Sequence, residues 1–186
     1  MHPAFQALFL GLRKGFLACK IALAPLPGFS AVNGREGHLR TVVQRVKRAS
    51  VEVDQRIIGE IEAGLCVYVS VENDDQEADV LWMCTKIVHM RLFPDTMGKM
   101  NNSVIDTGGA VLLISNFTIH GAAHKGRRPS FAAAARPEHA IPLYESLAKQ
   151  MRAYLPTQSG EFGAHMLVYA ENDGPVNILL DSRGVF

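Results

Sequence analysis

The chain of 186 residues is 48% hydrophobic and carries 19 Lys and Arg against 18 Asp and Glu, a formal net charge of +1. That length and apolar content suit one good core in a single domain, and so balanced a charge excludes a histone-like or wholly basic nucleic-acid binder. Three cysteines, Cys19, Cys66 and Cys84, lack any CxxC spacing, which argues against a disulfide framework and for a reducing compartment, the cytoplasm.

Residues 1–38 read as an N-terminal extension distinct from a domain at 39–186. They hold no acid before Glu36, their bases are scattered at Arg13, Lys14, Lys20 and Arg35, and Pro and Gly thicken toward their end. Charges inside the apolar stretches exclude a membrane span. A secretory signal would set its positive charge ahead of the apolar core, not behind it. An organelle presequence, an unstructured extension and an upstream start codon all stay open.

The alternating, Val-rich LRTVVQRV at 39–46 predicts a strand. SVEVDQRIIGEI at 50–61 predicts two short strands turning at Asp54 and Gln55, and GLCVYVSV at 64–71 is the near-continuous apolar run of a central strand. Asn73, Asp74 and Asp75 supply an N-cap and acidic first turn for a helix to about His89, with Val80, Leu81, Cys84, Ile87 and Val88 on one side. The turn-rich stretch 91–109 predicts an excursion with little regular structure. A strand over 110–117 leads into a basic loop. Arg136 and Pro137 then introduce a second helix over about 139–154, with Ile141, Tyr144, Leu147, Ala148 and Met151 at helical spacing and Pro142 in its first turn. QSGEFGA at 158–164 predicts a loop. The run 165–181 predicts two strands about a hairpin turn at Asn172, Asp173, Gly174 and Pro175. Two helices among six or seven strands give an α+β fold class: two main helices packed outside mixed, largely antiparallel sheets that form a sandwich- or barrel-like core.

The chemistry gathers in SNFTIHGAAHKGRRPSF, residues 115–131. From 107 to 137 there is no Asp or Glu, so Lys125, Arg127 and Arg128 are locally uncompensated and favour an anionic, phosphate-bearing partner. A solvated basic loop after a core strand accounts for the same residues, and both readings stay open. Ser115 or Thr118 would need an adjacent base to act as a nucleophile. Strand alternation puts Ser115, Phe117 and Ile119 on one face and Asn116, Thr118 and His120 on the other, so Ser115 and His120 do not pair. The spacing of His120 and His124 suits a metal only on a helix, which Gly121 disfavours; neither metal nor cofactor is expected. GAAHKGRR lacks the ending of a phosphate-binding loop. At the other end of the chain, Gly174 lets a ligand approach the backbone, and a Gly-Pro bond adopts cis at modest cost. Two carbonyls turned the same way there would accept an amino group and exclude one configuration at the neighbouring carbon.

Five blocks, TVVQRVKRASVEVD, LFPDTMGKMNNSVID, SNFTI, KGRRPSF and NDGPVNILLDS, spread in order over residues 39–182, closely resemble the D-aminoacyl-tRNA deacylase family. The resemblance implies a tRNA-editing hydrolase that cleaves the ester between a D-amino acid, or glycine mischarged on tRNA(Ala), and the 3′ end of tRNA. It implies a compact α/β homodimer without cofactor, the active site at the subunit interface. Ser115, Asn116, Phe117 and Thr118 would form the catalytic segment, where backbone N–H groups around Phe117 and Thr118 stabilise an oxyanion while the terminal 2′-OH assists water; Thr118 as covalent nucleophile ranks second. Gly174 and Pro175 would be a cis pair that enters the partner's pocket and rejects L-amino acids, its orientation fixed by Arg45. Lys125, Arg127 and Arg128 would hold acceptor-end phosphates, and Phe131 would pack near the adenine. The chain departs from the family's SQFTL and NxGPVT at Asn116, Ile119 and Asn177. Two other classes compete with this reading: a nucleic-acid binding protein that kept the fold without turnover, and a small-molecule esterase using Thr118.

Overall fold

The computed structural model describes residues 38–124 and 126–184. The extension at 1–38 therefore lies, except for His38, outside the described residues, as do Cys19 and Lys125.

Strands β1 (Arg40–Val53) and β2 (Arg56–Ile61) form the expected hairpin, and Asp54 and Gln55 at its tip have φ of 48° and 63°, the left-handed pair whose twist matches that of the flanking strands. The two runs at 39–46 and 50–53 are one 14-residue strand rather than two. Its first half pairs antiparallel with β3 (Gly64–Ser70) and its second half with β2, while β8 (Leu167–Asp181) pairs along the other edge from Arg40 to Glu52. Beyond β3 the pairing turns parallel, to β6 (Ala110–Ser115) and then to β7 (Thr157–Ser159). The fold is thus α+β on a mixed, largely antiparallel, barrel-like sheet, as the sequence predicts, although β7 takes Gln158 and Ser159 from the expected loop.

Alternation along β3 and β6 explains why their sequences do not alternate in polarity. Leu65, Val67, Val69, Val111 and Leu113 pack on one face with the helices, while Cys66, Leu112 and Ile114 point the other way onto Val46, Ala49, Val51 and Ile61. Both faces are buried, so positions 65–67 and 111–114 are apolar without a break, and each large aliphatic side chain withdrawn from water contributes about 1.5–3 kcal/mol. Burial pushes the Cys66 and Cys84 thiols up to about 11, which leaves both unreactive.

Helix α1 (Glu77–His89) starts later than the acidic run suggests. Gln76 and Asp79 close a reciprocal capping box, and Asp75 turns inward to accept the Glu72 N–H at 2.7 Å. Its core face is Val80, Met83, Cys84, Ile87 and Val88, whereas Leu81 is 57% exposed; one residue past Val80 is about 100° further round the helix. Helix α2 (Pro137–Arg152) starts earlier than predicted, which moves Pro142 into the second turn. The ring is exposed there, on the side where solvent can serve the carbonyl that loses its N–H. Between α1 and β6 the excursion is more ordered than predicted: β4 (Phe93–Pro94) pairs with β5 (Met100–Asn102). The Asp95 carboxylate sets their connection by accepting the Met97 and Lys99 N–H groups at 2.8 and 3.0 Å and the Asn101 amide at 2.6 Å.

The largest correction concerns residues 172–175. Residues 167–172 and 177–181 both run antiparallel to β1, in the same direction, so the chain does not reverse. Asn172 pairs with Val46 and Asn177 with Gln44, and 173–176 stand out as a protrusion opposite Arg45. Asp-Gly between apolar runs commonly signals a hairpin; here the long uninterrupted edge of β1 captures both flanks. Among the described residues no helix is long and apolar enough to cross a membrane.

Candidate active site

Strand β6 ends where its polar residues begin. The Asn116 N–H makes a last ladder-like bond to the Val69 carbonyl at 2.7 Å, and the chain then winds into a 3-10 turn, Phe117–His120, instead of continuing as a strand. Asn116 causes the change: its side-chain oxygen accepts the Thr118 N–H at 3.1 Å and also the Thr118 hydroxyl, the local side chain to backbone bond by which Asn competes with an extended ladder. The turn breaks the predicted alternation. His120 is buried, not beside Thr118, while Phe117 and Thr118 are exposed.

That geometry bears on each candidate. The Thr118 hydroxyl already donates to Asn116, and His120 is bonded to Ser70 and to the His38 carbonyl, so this turn supplies no base for a Thr118 or Ser115 nucleophile. The Thr118 N–H, expected as an oxyanion donor, is engaged by Asn116. The Phe117 N–H has no partner among the described residues.

Ser115, Asn116, Phe117 and Thr118 line one wall of a cleft of about 450 Å³. The opposite wall is made by residues that the sequence assigns elsewhere: Tyr144 to the core face of α2, Phe162 to a loop, and His165 and Met166, which lie ahead of β8, to the strand run at 165–181. Tyr144 donates to the Leu113 carbonyl at 2.9 Å and meets Phe162 edge-on with ring centroids 5.7 Å apart; burial pushes its phenol up to about 12. The signal for this wall was an aromatic residue inside a Gly-rich connection, FGAHM, immediately before an alternating strand. Phe117 and Phe131, 58% and 37% exposed, stand at the mouth in edge-to-face contact at 5.3 Å. Gly121 permits that contact, because a Cβ there would lie 2.8 Å from the Phe131 ring.

Beyond the aromatic pair, paired backbone bonds between Ala122 and Ser130 at 2.8 and 2.9 Å close the basic loop. Arg127 and Arg128 are exposed within it, so its positive charge faces outward beside the cleft mouth.

Arg45, Gly174 and Pro175 form a second group, which does not line this chain's own cleft. Arg45 is fixed at three points: its Nε is 3.1 Å from both the carbonyl and a carboxylate oxygen of Asp173, and Nη1 is 2.6 Å from the Leu92 carbonyl. Asn172 ties the base by donating to the Asn177 side chain at 2.7 Å and accepting the Val176 N–H at 3.1 Å. The Gly174–Pro175 peptide is cis, and Gly174 has φ of 129°. A side chain at Gly174 would sit 2.8 Å from Val176 Cγ2 and 3.1 Å from Arg45 Nη2. Both Gly174 and Pro175 are exposed.

Residues 42–181 match the profile of the family described as D-Tyr-tRNA(Tyr) deacylase. A D-aminoacyl-tRNA deacylase from Koribacter versatilis is 54% identical over 149 residues, and one from Kosmotoga olearia 49% identical over 148; each alignment spans 80% of this chain and 100% of the relative. Among solved structures, one titled c-Myc DNA Unwinding Element Binding Protein superposes with a TM-score of 0.72 at 39% identity, covering 76% of this chain and 97% of its own. Another, titled as a probable eukaryotic D-amino acid tRNA deacylase, shares the fold at a TM-score of 0.70 and 15% identity, covering 77% and 99%.

Proposed function

Because the chain belongs to the D-Tyr-tRNA(Tyr) deacylase family, we propose that it is a tRNA-editing hydrolase that cleaves D-aminoacyl-tRNA to free D-amino acid and tRNA, as well as glycine mischarged on tRNA(Ala). The observation that carries the chemistry is the Phe117 N–H, without a partner among the described residues, on an exposed turn at the lip of a cleft. Water adds to the ester carbonyl, assisted by the 2′-OH of the terminal ribose. The developing oxyanion takes the Phe117 N–H, the kind of donor that supplies about 3 kcal/mol. The bond from carbonyl carbon to the 3′ oxygen then breaks, and that oxygen leaves with the proton. Thr118, whose hydroxyl is committed to Asn116, shapes the turn rather than attacking.

The substrate's acceptor end lies along the basic loop: Lys125, Arg127 and Arg128 meet its phosphates and the Phe117–Phe131 pair offers its faces to the terminal adenine. A second copy of the chain completes the site. Two features support a homodimer: the Gly174–Pro175 protrusion is exposed and does not line the cleft beside Phe117, and β8 leaves Leu167, Tyr169 and Leu179 about half exposed, an apolar strip suited to an interface. In that assembly the backbone at Gly174 and Pro175 lies against the amino acid's α-carbon and rejects L side chains. A filter that works by excluding side chains passes glycine, which has none. The buried, reduced thiols and the family's substrate agree with a cytoplasmic protein.

The test is hydrolysis of D-Tyr-tRNA and L-Tyr-tRNA, side by side, by the full-length chain. Rapid loss of the D ester alone is expected; Thr118→Ala keeps substantial activity, and a substrate ending in 2′-deoxyadenosine is nearly inert. Thr118→Ala inactive with the deoxy substrate still cleaved would sink the mechanism. Tight binding with neither ester cleaved would favour the nucleic-acid binding reading, which the similarity to a protein titled for DNA binding keeps in view.

A further inference from the structure

We propose that Ser70 and His120 are positioning residues: a buried hydroxyl–imidazole pair that sets the plane of the Phe117–Thr118 peptide at the lip of the cleft and is anchored on the backbone at His38. The inference rests on reading 115–118 as the catalytic segment.

Both side chains are almost wholly buried, Ser70 at 2% and His120 at 3% exposure. Ser70 Oγ lies 2.5 Å from His120 Nδ1 and 3.3 Å from the Phe117 carbonyl oxygen, and His120 Nε2 lies 2.9 Å from the His38 carbonyl oxygen. Counting protons fixes the roles. The His38 carbonyl can only accept, so Nε2 carries a hydrogen. In the neutral ring Nδ1 is then bare and takes the single hydrogen of the Ser70 hydroxyl, which leaves the Phe117 carbonyl without it. In the imidazolium, Nδ1–H donates to Ser70 Oγ, and the hydroxyl hydrogen is released to the Phe117 carbonyl.

The Phe117 carbonyl and the Thr118 N–H belong to one peptide unit. Asn116 holds the N–H end from the cleft side and Ser70 faces the carbonyl end from the core. The Phe117 N–H lies on the preceding unit and shares only the Phe117 Cα with this one, so the buried hydroxyl acts on the donor that faces the ester by holding or releasing that common pivot. The charged and titratable groups around the ring are Arg40 from β1, Glu72 after β3, Asp181 from β8 and His38 itself, whose imidazole pairs with Asp181 at 3.1 Å. Burial holds His120 below the ordinary histidine range, with Arg40 acting the same way and the His38 carbonyl, Glu72 and Asp181 opposing. At neutral pH the ring is therefore neutral and the Ser70 hydrogen points to it; acidification turns that hydrogen toward the turn.

The test compares full-length wild type with Ser70→Ala, Ser70→Thr and His120→Gln in D-Tyr-tRNA hydrolysis across about pH 5 to 9. Below the His120 transition, where the Ser70 hydrogen reaches the Phe117 carbonyl, Ser70→Ala should lower kcat about tenfold, the worth of one well-placed hydrogen bond, with KM within about twofold, and at neutral pH it should change kcat little. Ser70→Thr should recover most of the loss. The wild-type kcat profile should bend below the ordinary histidine range, and both Ser70→Ala and His120→Gln should remove the bend. Unchanged kcat and an unchanged profile in Ser70→Ala would overturn the proposal, and that variant decides alone if His120→Gln fails to fold. Nitrogen-15 spectra of labelled histidine separate this from the parent reading. His120 as the Nε2–H tautomer, with an Nδ1 signal that moves in Ser70→Ala, supports the pair whether or not the wild type hydrolyses an ester. The Nδ1–H tautomer would overturn the pair even in an active enzyme.

Discussion

The turn at 116–121 and the protrusion at 173–176 both interrupt regular strand pairing, but they are held in opposite ways. The turn is bound from within: Asn116 caps it, Ser70 and His120 lie behind it, and Gly121 lets Phe131 close on it. The protrusion is bound only at its base, by Arg45, Asp173 and the Asn172–Asn177 bond, and its tip at Gly174 and Pro175 is left to solvent. A segment that acts on its own chain is stabilised along its length, whereas one that acts elsewhere needs a rigid root and a bare tip. The difference fits the proposed division of the site between two copies, with chemistry on one side and selection on the other.

The sharpest way to break this division is at the tip. Gly174→Val places a β-branched side chain where φ is 129° and where even a Cβ meets Val176 at 2.8 Å, so the tip must shift. A displacement near 1 Å costs about 100-fold in rate, and kcat/KM for D-Tyr-tRNA is expected to fall by that order. Mixing this variant with one crippled at the turn, Asn116→Pro, should restore part of the activity through mixed dimers, each holding one intact site. Activity that stays at the level of the separate variants, with subunit exchange verified by mass, would place both groups in a single-chain site instead. A smaller effect is expected at the loop. Replacing Arg127 and Arg128 together with Ala should raise KM about tenfold at moderate salt and lower the salt slope of tRNA binding by about 2, while leaving D over L discrimination intact. Loss of discrimination in that variant would mean the loop, not the protrusion, reads the amino acid.

How much of this was legible in the chain depends on the distance over which each signal acts. The β1–β2 turn, the buried run of β3 and both helices follow from periodicity and local turn chemistry, and they stand close to where the sequence puts them. Boundaries slipped where a side chain had a better partner out of register, as with Gln76 displacing Asn73 to Asp75 as the cap of α1. The polar residues of the turn stand out in the sequence, but strand alternation does not extend past an Asn whose side chain caps the Thr118 N–H. The protrusion carries the signal of a hairpin because nothing local says whether the strands flanking Asp-Gly pair with each other or both pair with a third. The far wall of the cleft is hard to read in the sequence, since Tyr144 has the spacing of a core residue on α2 and is one, its hydroxyl serving the Leu113 carbonyl while its ring faces the cavity.

The smallest expected effect tests the inner half of the comparison. Asn116 is short enough for its oxygen to fold back on Thr118, taking both the N–H and the hydroxyl, and so the turn is rigid at the expense of one donor to the cleft. Glutamine, one methylene longer, fits that two-residue ring poorly. Asn116→Gln should release the Thr118 N–H to act beside the Phe117 N–H and free the side-chain amide to reach the terminal adenosine. A second donor competing with water gives only part of a full oxyanion contact, so kcat is expected to rise about threefold, and loss of the cap to lower stability by roughly 0.5–1 kcal/mol. The two readouts must move in opposite directions, kcat by single-turnover hydrolysis and stability by thermal unfolding. A variant that loses stability and rate together would show that the turn works because it is capped, and that Asn116 contributes rigidity worth more to the reaction than the donor it occupies.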